Sequence, residues 1–305
     1  MSDRKDAERA KLLALTELSG IGDKRALELV EIAGGIDAVY ESSVNTFADL
    51  HYVNDSTYKE LQNLDDKIDQ YGKRIKDSRE SGVSLLTPLD DQYPDRLREH
   101  HSPIKLFFKG NEDLVKRPKI SFAGSRDANE EALAWTKDVS TSLVDEGYCI
   151  VSGGAFGVDV VSHQAALDAE GDTILVSPSG HANPYPKAHE DLFKQIEEDG
   201  LVISHRFPEQ KPARGGFLYR NKTNSALGSA IVIAAASGDG GSMAQFETAS
   251  DQGREVYIPA KEVGTEPKDG LAKMRDADNV TMTETAETIL QKRNSTDGQS
   301  SFDDW

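Results

Sequence analysis

The sequence predicts an α/β chain, a doubly wound and mostly parallel sheet preceded by a small all-helical domain. Three observations predict it. From Lys119 onward, short apolar runs alternate with amphipathic stretches, the mark of repeated strand-helix units. From residue 11 to about 80, apolar residues recur at helical spacing. The length of 305 residues exceeds one ordinary domain, so a main domain with small attachments is expected.

Taken in order, Leu12, Leu13, Leu15 and Leu18 precede a turn, and Ala26, Leu27, Leu29, Val30 and Ile32 follow it on one helical period. The turn reads Ser19-Gly20-Ile21-Gly22. Two glycines around one apolar residue between short helices form a helix-hairpin-helix (SAM-like) signature, whose turn aims backbone N–H groups at a phosphate. A tight turn in a small helical bundle accounts for the same residues, and Asp23 is unfriendly to an anion. The helical domain is expected over residues 1–80. Residues 81–118 read as a connecting segment packed on the main domain, with a strand at Leu106-Phe107-Phe108.

The main domain is expected over 119–290. Its candidate strands are Ile120–Ala123, Cys149–Ser152, Thr173–Ser177, Leu201–Ser204, Ala230–Ala235 and Glu255–Ile258, with helices near 130–146, 158–169, 187–198, 217–228 and 242–252. This is an extended Rossmann-like pattern. The tail, 291–305, is rich in Ser, Asp and Gly and is expected to be disordered and acidic.

Composition limits the function classes. No run approaches the roughly 18 to 20 apolar residues of a membrane span, and the opening Met-Ser-Asp-Arg-Lys-Asp leads into no apolar signal core, so a cytoplasmic protein without a membrane partner is expected. The single cysteine, Cys149, excludes an intrachain disulfide and lies in the apolar run Tyr148–Val151, where it reads as a small hydrophobe. A formal net charge of -18 taken alone argues against a nucleic-acid ligand. Binding, however, needs only a local cluster of donors in a cleft, and net charge reports mainly solubility and long-range repulsion.

In an open parallel sheet, ligands bind beyond the carboxyl ends of the strands. There the sequence places three glycine- and serine-rich turns: Gly124-Ser125-Arg126 after the first strand, Ser152-Gly153-Gly154-Ala155-Phe156-Gly157-Val158-Asp159 after the second, and Ser237-Gly238-Asp239-Gly240-Gly241-Ser242 after the fifth. One such turn is ordinary. Three on one rim, one of them carrying an arginine, point to an anion site, because glycine admits close approach and helix N-termini offer unpaired N–H groups.

A fourth element concentrates positive charge. Arg206, Lys211, Arg214, Arg220 and Lys222 put five basic residues in seventeen, around Phe217-Leu218-Tyr219 and Asn221. Phe217 and Tyr219 are candidates to stack on unpaired bases while Arg220 and Lys222 take phosphates. A solvated basic helix start with a core phenylalanine is the plain alternative.

The order and spacing of these elements resemble the DprA/Smf family. That family has Gly-Ser-Arg after its first strand, a Ser-Gly-x-Ala-x-Gly-Ile-Asp turn followed by Ala-His, a Tyr-Pro element, a Phe-x-x-Arg-Asn-Arg helix start, a Ser-Gly-Ser/Thr turn and a Gly-Arg-x-Val strand. Here the matching residues are Gly124–Arg126, Ser152 to Asp159 with Ser162-His163, Tyr185-Pro186, Phe217 with Arg220-Asn221-Lys222, Gly241-Ser242 and Gly253-Arg254-Glu255-Val256. The similarity reaches Tyr93-Pro94 and Leu106-Phe107-Phe108-Lys109-Gly110 upstream and covers roughly 90–290. Departures are His205 where the family has Ile-Ser-Glu, Ser162 for alanine, Lys222 for arginine and Gly240 for serine. Lysine keeps the charge of arginine and loses its bidentate fork.

The resemblance implies a recombination mediator and no catalysis, cofactor or metal. It implies single-stranded DNA and a RecA-type recombinase as partners and a homodimer; a single-strand-binding protein is a further candidate partner. Gly124, Ser125, Arg126, Ser152, Gly153, Gly157, Arg206, Lys211, Arg214, Phe217, Arg220, Asn221, Lys222, Gly241 and Ser242 are the expected DNA-binding residues, with Arg126 as the central phosphate clamp.

Asp159 and His163 stand four apart at a helix start and invite a catalytic reading. Capping of the helix by Asp159 and bonding of its turn by His163 is the preferred one, since no nucleophile is paired with them. His163, His181 and His189 lack metal-ligand spacing. The opposing hypothesis is a nucleotide-sensing or nucleotide-cleaving, phosphoribohydrolase-like protein. Its Gly-Gly-x-Gly-Thr-x-x-Glu turn would place the reacting glutamate at Gln245, and an amide is neither acid nor base. The final Ser301-Phe302-Asp303-Asp304-Trp305 reads as a plain end or a docking tip.

Overall fold

The computed structural model describes residues 2–100 and 102–297. The chain divides into two compact units, Met1–Phe107 and Phe108–Trp305.

In the first unit, α1 (Ser2–Leu15), α2 (Asp23–Ala33), α3 (Ile36–Glu41), α4 (Asp55–Leu61) and α5 (Asp65–Glu80) are followed by β1 (Ser84–Leu86), α6 (Asp95–His100) and β2 (Leu106–Gly110), which crosses the division. Leu12, Leu13, Leu15, Leu18, Ala26 and Leu29 are buried, as their periodicity requires, whereas Ile32 is exposed. The expected boundary near residue 80 falls instead after Phe107. Long-range polar ties explain this: Arg9 forks onto buried Asp90 (Nη2–Oδ1 2.8 Å, Nε–Oδ2 3.1 Å), and Asp90 accepts from the Thr87 N–H at 2.8 Å. Such ties leave no trace in local hydropathy.

The second unit continues with β3 (Lys119–Ala123), α7 (Glu130–Asp145), β4 (Cys149–Ser152), α8 (Val158–Asp168), β5 (Thr173–Ser177), α9 (Glu190–Asp199), β6 (Leu201–Ser204), α10 (Gly216–Leu227), β7 (Ala230–Ile233), α11 (Gly241–Asp251), β8 (Glu255–Pro259), α12 (Asp269–Met274), β9 (Val280–Thr283) and α13 (Glu287–Asp297). The six expected strands and five expected helices are all present within a few residues of their predicted ends. The order β6-β5-β4-β3-β7-β8-β9 runs parallel at every pairing, with Phe122 opposite Val232 and Ser121 opposite Val151. After β6 the chain crosses back through α10 to the other side of β3. The strand order therefore reverses between β3 and β7, where a ligand crevice opens in such sheets.

Burial on both faces explains the uninterrupted apolar strands. Ile120, Phe122, Ile150 and Val232 pack with Trp135, Val139 and Leu143 of α7 on one face. Ala123, Ile231, Ile233, Val256 and Ile258 pack with Ala249, Leu271 and Met274 on the other. Cys149 is buried, and burial pushes its thiol well above the ordinary range, which leaves it unreactive.

Two elements depart from expectation. Edge strand β9 has no apolar run, because its Met282 is exposed and only Thr283 is buried. The tail expected to begin at 291 continues α13 to Asp297, held by the ion pair of buried Arg293 with Glu255. A nonlocal partner for one arginine outweighs a polar local composition. The Phe302–Trp305 tip lies outside the described residues.

Candidate nucleic-acid interface

At the strand-order reversal, a cleft of about 420 Å³ opens between the turn after β3, the head of α10 and the turn after β7. Gly124, Ser125, Arg126, Phe217, Arg220, Asn221, Gly241 and Ser242 line it, together with Asp159. A smaller recess of about 40 Å³ shares Arg126, Ala155, Phe217 and Arg220 with it and adds Gly153, Phe156, Tyr185 and Pro186. Nine of the expected ligand residues are thus brought together.

Among the described residues, α10 and α11 at the cleft begin without a side-chain cap bond, as do α2, α3, α5, α8, α9 and α12, whereas α4 and α7 carry one. At the start of α7 the Asn129 side chain accepts from the Ala132 N–H, and at α4 Asn54 does the same for Ser56 and Thr57. At α10 and α11 the cap positions are Gly215 and Gly240, with no side-chain cap bond. The N–H groups of Phe217, Leu218, Gly241 and Ser242 consequently have no partner among the described residues. Two helix N-termini, each carrying a partial positive charge, open into one cleft.

The turns are locked to each other. Ser125 N–H donates to Ala235 O at 2.8 Å, joining the loops after β3 and β7, and Asp127 N–H donates to Ser125 Oγ at 3.1 Å. Gly157, at φ +77°, packs so tightly on the same loop that a Cβ would lie 2.3 Å from Ser125 O. This placement holds Arg126 on the rim, exposed and with no ion-pair or hydrogen-bond partner among the described residues.

Arg220 is the opposite kind of arginine. It is buried, with Nη1 3.7 Å from Asp159 Oδ2, and its guanidinium fills the space where a Gly153 side chain would stand, 1.6 Å from that Cβ position. Burial disfavours both charges: it raises the Asp159 carboxyl, with Arg220 opposing, and lowers Arg220, with Asp159 opposing and Arg126 adding to the loss. Asp159 also accepts the Ala155 N–H at 3.1 Å, so it ties the turn rather than capping α8, whose cap position is Gly157.

Several expected residues serve the scaffold instead. Ser152 is fully buried and donates to Phe122 O at 3.0 Å, so its hydroxyl is not offered to a ligand. Gly157 is a packing requirement. His163 is fully buried and joins Thr173 Oγ1 on β5 through Nδ1 at 2.7 Å; burial together with Arg220 pushes it down to about 3, against the opposing effect of the Ser152 backbone in its turn. Arg206, Lys211, Arg214 and Lys222 do not line the cleft; Lys211, Arg214 and Lys222 are exposed on the approach to α10 and along it.

Leu218, Gln245 and Ser237 in the cleft and Phe156 in the recess lie in segments the sequence singled out but were not among the expected DNA-binding residues. Phe156, Tyr185 and Leu218 are three of the five large apolar side chains exposed among the described residues, and all three border this site. An apolar residue inside a glycine turn carries no sequence signal of exposure. Among the described residues, no group of His, Cys, Asp or Glu is placed to hold a metal, and no helix is long and apolar enough to cross a membrane.

A mostly parallel sheet with helices on both faces, whose strand order reverses at this cleft, defines a Rossmann-like protein. More particularly, the chain belongs to the DNA recombination-mediator protein A family, whose model matches residues 84–294. It is 38% identical to DNA processing protein DprA of Streptococcus pneumoniae over 170 residues, 55% of this chain and 60% of that protein. It is 29% identical to protein Smf of Synechocystis over 263 residues, 83% of this chain and 64% of that protein. The chain thus spans somewhat under two thirds of the length of these relatives. The crystal structure of the S. pneumoniae protein superposes with a TM-score of 0.78 at 27% identity, covering 94% of this chain and 97% of that one. A structure of DNA processing protein A from Helicobacter pylori, described for its single-stranded DNA binding mode, superposes with a TM-score of 0.62 at 25% identity, over 70% of this chain and 96% of that one.

Proposed function

We propose that this protein is a binding protein for single-stranded DNA that shields the strand and passes it to a RecA-type recombinase, acting in the cytoplasm as a homodimer. One observation carries the DNA reading: exposed, unpartnered Arg126 stands over a cleft whose other donors are the free N–H groups of two helix N-termini. The donors suit phosphate oxygens and read no base, so affinity should not depend on sequence. Exposed Phe156, Tyr185 and Leu218 beside them offer faces on which unpaired bases stack, which a duplex cannot use. The description of the H. pylori relative as a single-stranded DNA binder, and the family's description as a recombination mediator, support the same reading.

The side chains present support a binding rather than a catalytic role. Asp159 is committed to Arg220, His163 is buried behind it, and Gln245 holds the position that the hydrolytic alternative needs for a glutamate. Incubation with adenosine monophosphate tests this: intact nucleotide is expected, and released base would restore the enzyme hypothesis. Pull-down of purified recombinase on DNA coated with the protein tests the loading step, with recruitment above the level of bare DNA expected.

A further inference from the structure

Helix α10 has a polar inner face. Arg220, Thr223, Asn224 and Ser225 are buried along it, so apolar burial holds little of its first two turns. Directional bonds hold it instead. Toward β3, Asn224 Nδ2 donates to Phe122 O at 3.1 Å and Ser121 Oγ donates to Asn224 O at 2.5 Å; beside them Thr223 pairs with His205 at 2.7 Å. Toward α11 and β8, three side chains donate to α10 carbonyls: Gln245 to Asn221 at 2.9 Å, Gln252 to Lys222 at 3.1 Å and Arg254 to Ala226 at 3.0 Å.

Of these three, Gln245 alone lines the cleft, and it is 2% exposed. The carbonyl it takes belongs to Asn221, next to Arg220, whose guanidinium pairs with Asp159 at 3.7 Å. The orientation of the Gln245 amide is dictated, because a backbone carbonyl only accepts. In a helix the same carbonyl also accepts the N–H four residues on, so losing Gln245 orphans no backbone group and should cost little stability.

We propose that Gln245 is a positioning residue for nucleic-acid binding: its amide N–H fixes the Asn221 carbonyl and thereby sets Phe217, Arg220 and Asn221 of α10 against the N-terminus of α11 across the cleft. The inference rests on the DNA-binding reading of that cleft. Gln245 contacts no phosphate in this role, so its loss should weaken binding without changing how many phosphates are neutralised.

The test titrates the full chain into a fluorescein-labelled oligothymidylate across a salt series, with thermal melting alongside. Gln245→Met keeps the length and removes the donor, and Gln252→Met removes the neighbouring latch away from the cleft. Gln245→Met is expected to bind about tenfold more weakly with an unchanged salt slope and a Tm within about 3 °C of the unsubstituted protein. Gln252→Met is expected to bind within about twofold of it. Should Gln245→Met not fold, Gln245→Asn, which draws the amide back by one methylene, carries the same expectation. Affinity within twofold of the unsubstituted protein, or a slope lowered as by removal of an arginine, overturns the positioning role alone. No binding by the unsubstituted protein overturns the reading of the cleft itself.

Discussion

The turn Ser19–Gly22 between α1 and α2 and the turn Ser237–Ser242 before α11 both set glycines ahead of a helix, yet their N–H groups are engaged differently. In the hairpin, the Ser19 N–H already donates to the Glu60 carboxylate at 3.0 Å, Asp23 opens α2, and the nearest cation, Arg25, is spent on Gly20 O and the face of Tyr52. At α11 no carboxylate among the described residues takes the first-turn N–H groups, and Arg126 lines the same cleft. Glycine spacing therefore specifies the shape of a phosphate turn, while the charges brought to it by distant elements decide whether an anion or the protein's own carboxylate occupies it.

This comparison can be broken at several points. The largest effect is expected from Asp159→Ala, which leaves Arg220 buried without its partner and should destabilise the fold by about 3 kcal/mol or more, read as a lowered denaturation midpoint. Retained stability would mean that Arg220 reaches solvent once its partner is gone. Next comes acid. His163 is held neutral, with its protonation pushed from the ordinary 6.5 down to about 3. Between those values the unfolded chain binds a proton that the folded chain does not. Stability should therefore fall as pH falls through that window, by up to about 1.4 kcal/mol per pH unit, and His163→Gln should flatten that dependence.

Smaller effects come from the rim. Arg214→Ala and Lys222→Ala remove exposed cations outside the cleft, and each should weaken DNA binding only about two- to threefold, most visibly at low salt. The smallest effect belongs to the hairpin: Glu60→Gln should leave DNA affinity unchanged within error. A clear gain on neutralising Glu60 would show the hairpin to be a second phosphate site.

How much was legible follows the same line between shape and partner. The strands of the second unit were readable because burial on both sheet faces demands unbroken apolar runs, and the three rim turns because glycine marks them. Strand β9 was not, since an exposed edge needs no apolar run, nor was the end of α13, which depends on Arg293 meeting Glu255. In the site, Arg126 and Phe217 were legible as a motif. The pairing of Asp159 with Arg220, the reason Gly153 must lack a side chain, and the grip of Gln245 on Asn221 were not, because each joins residues far apart in sequence.

The central claim is that a cleft in which Arg126 and Arg220 offset Asp127 and Asp159, on a protein of net charge -18, grips the backbone of single-stranded DNA through Arg126. The most direct measurement is anisotropy of labelled single- and double-stranded oligonucleotides across a salt series, with Arg126→Ala in parallel. The account predicts single-strand preference, affinity at least about tenfold weaker in the variant, and a salt slope shallower by about 1. Equal affinity of the two proteins at every salt concentration, or no binding even at low salt, would contradict it.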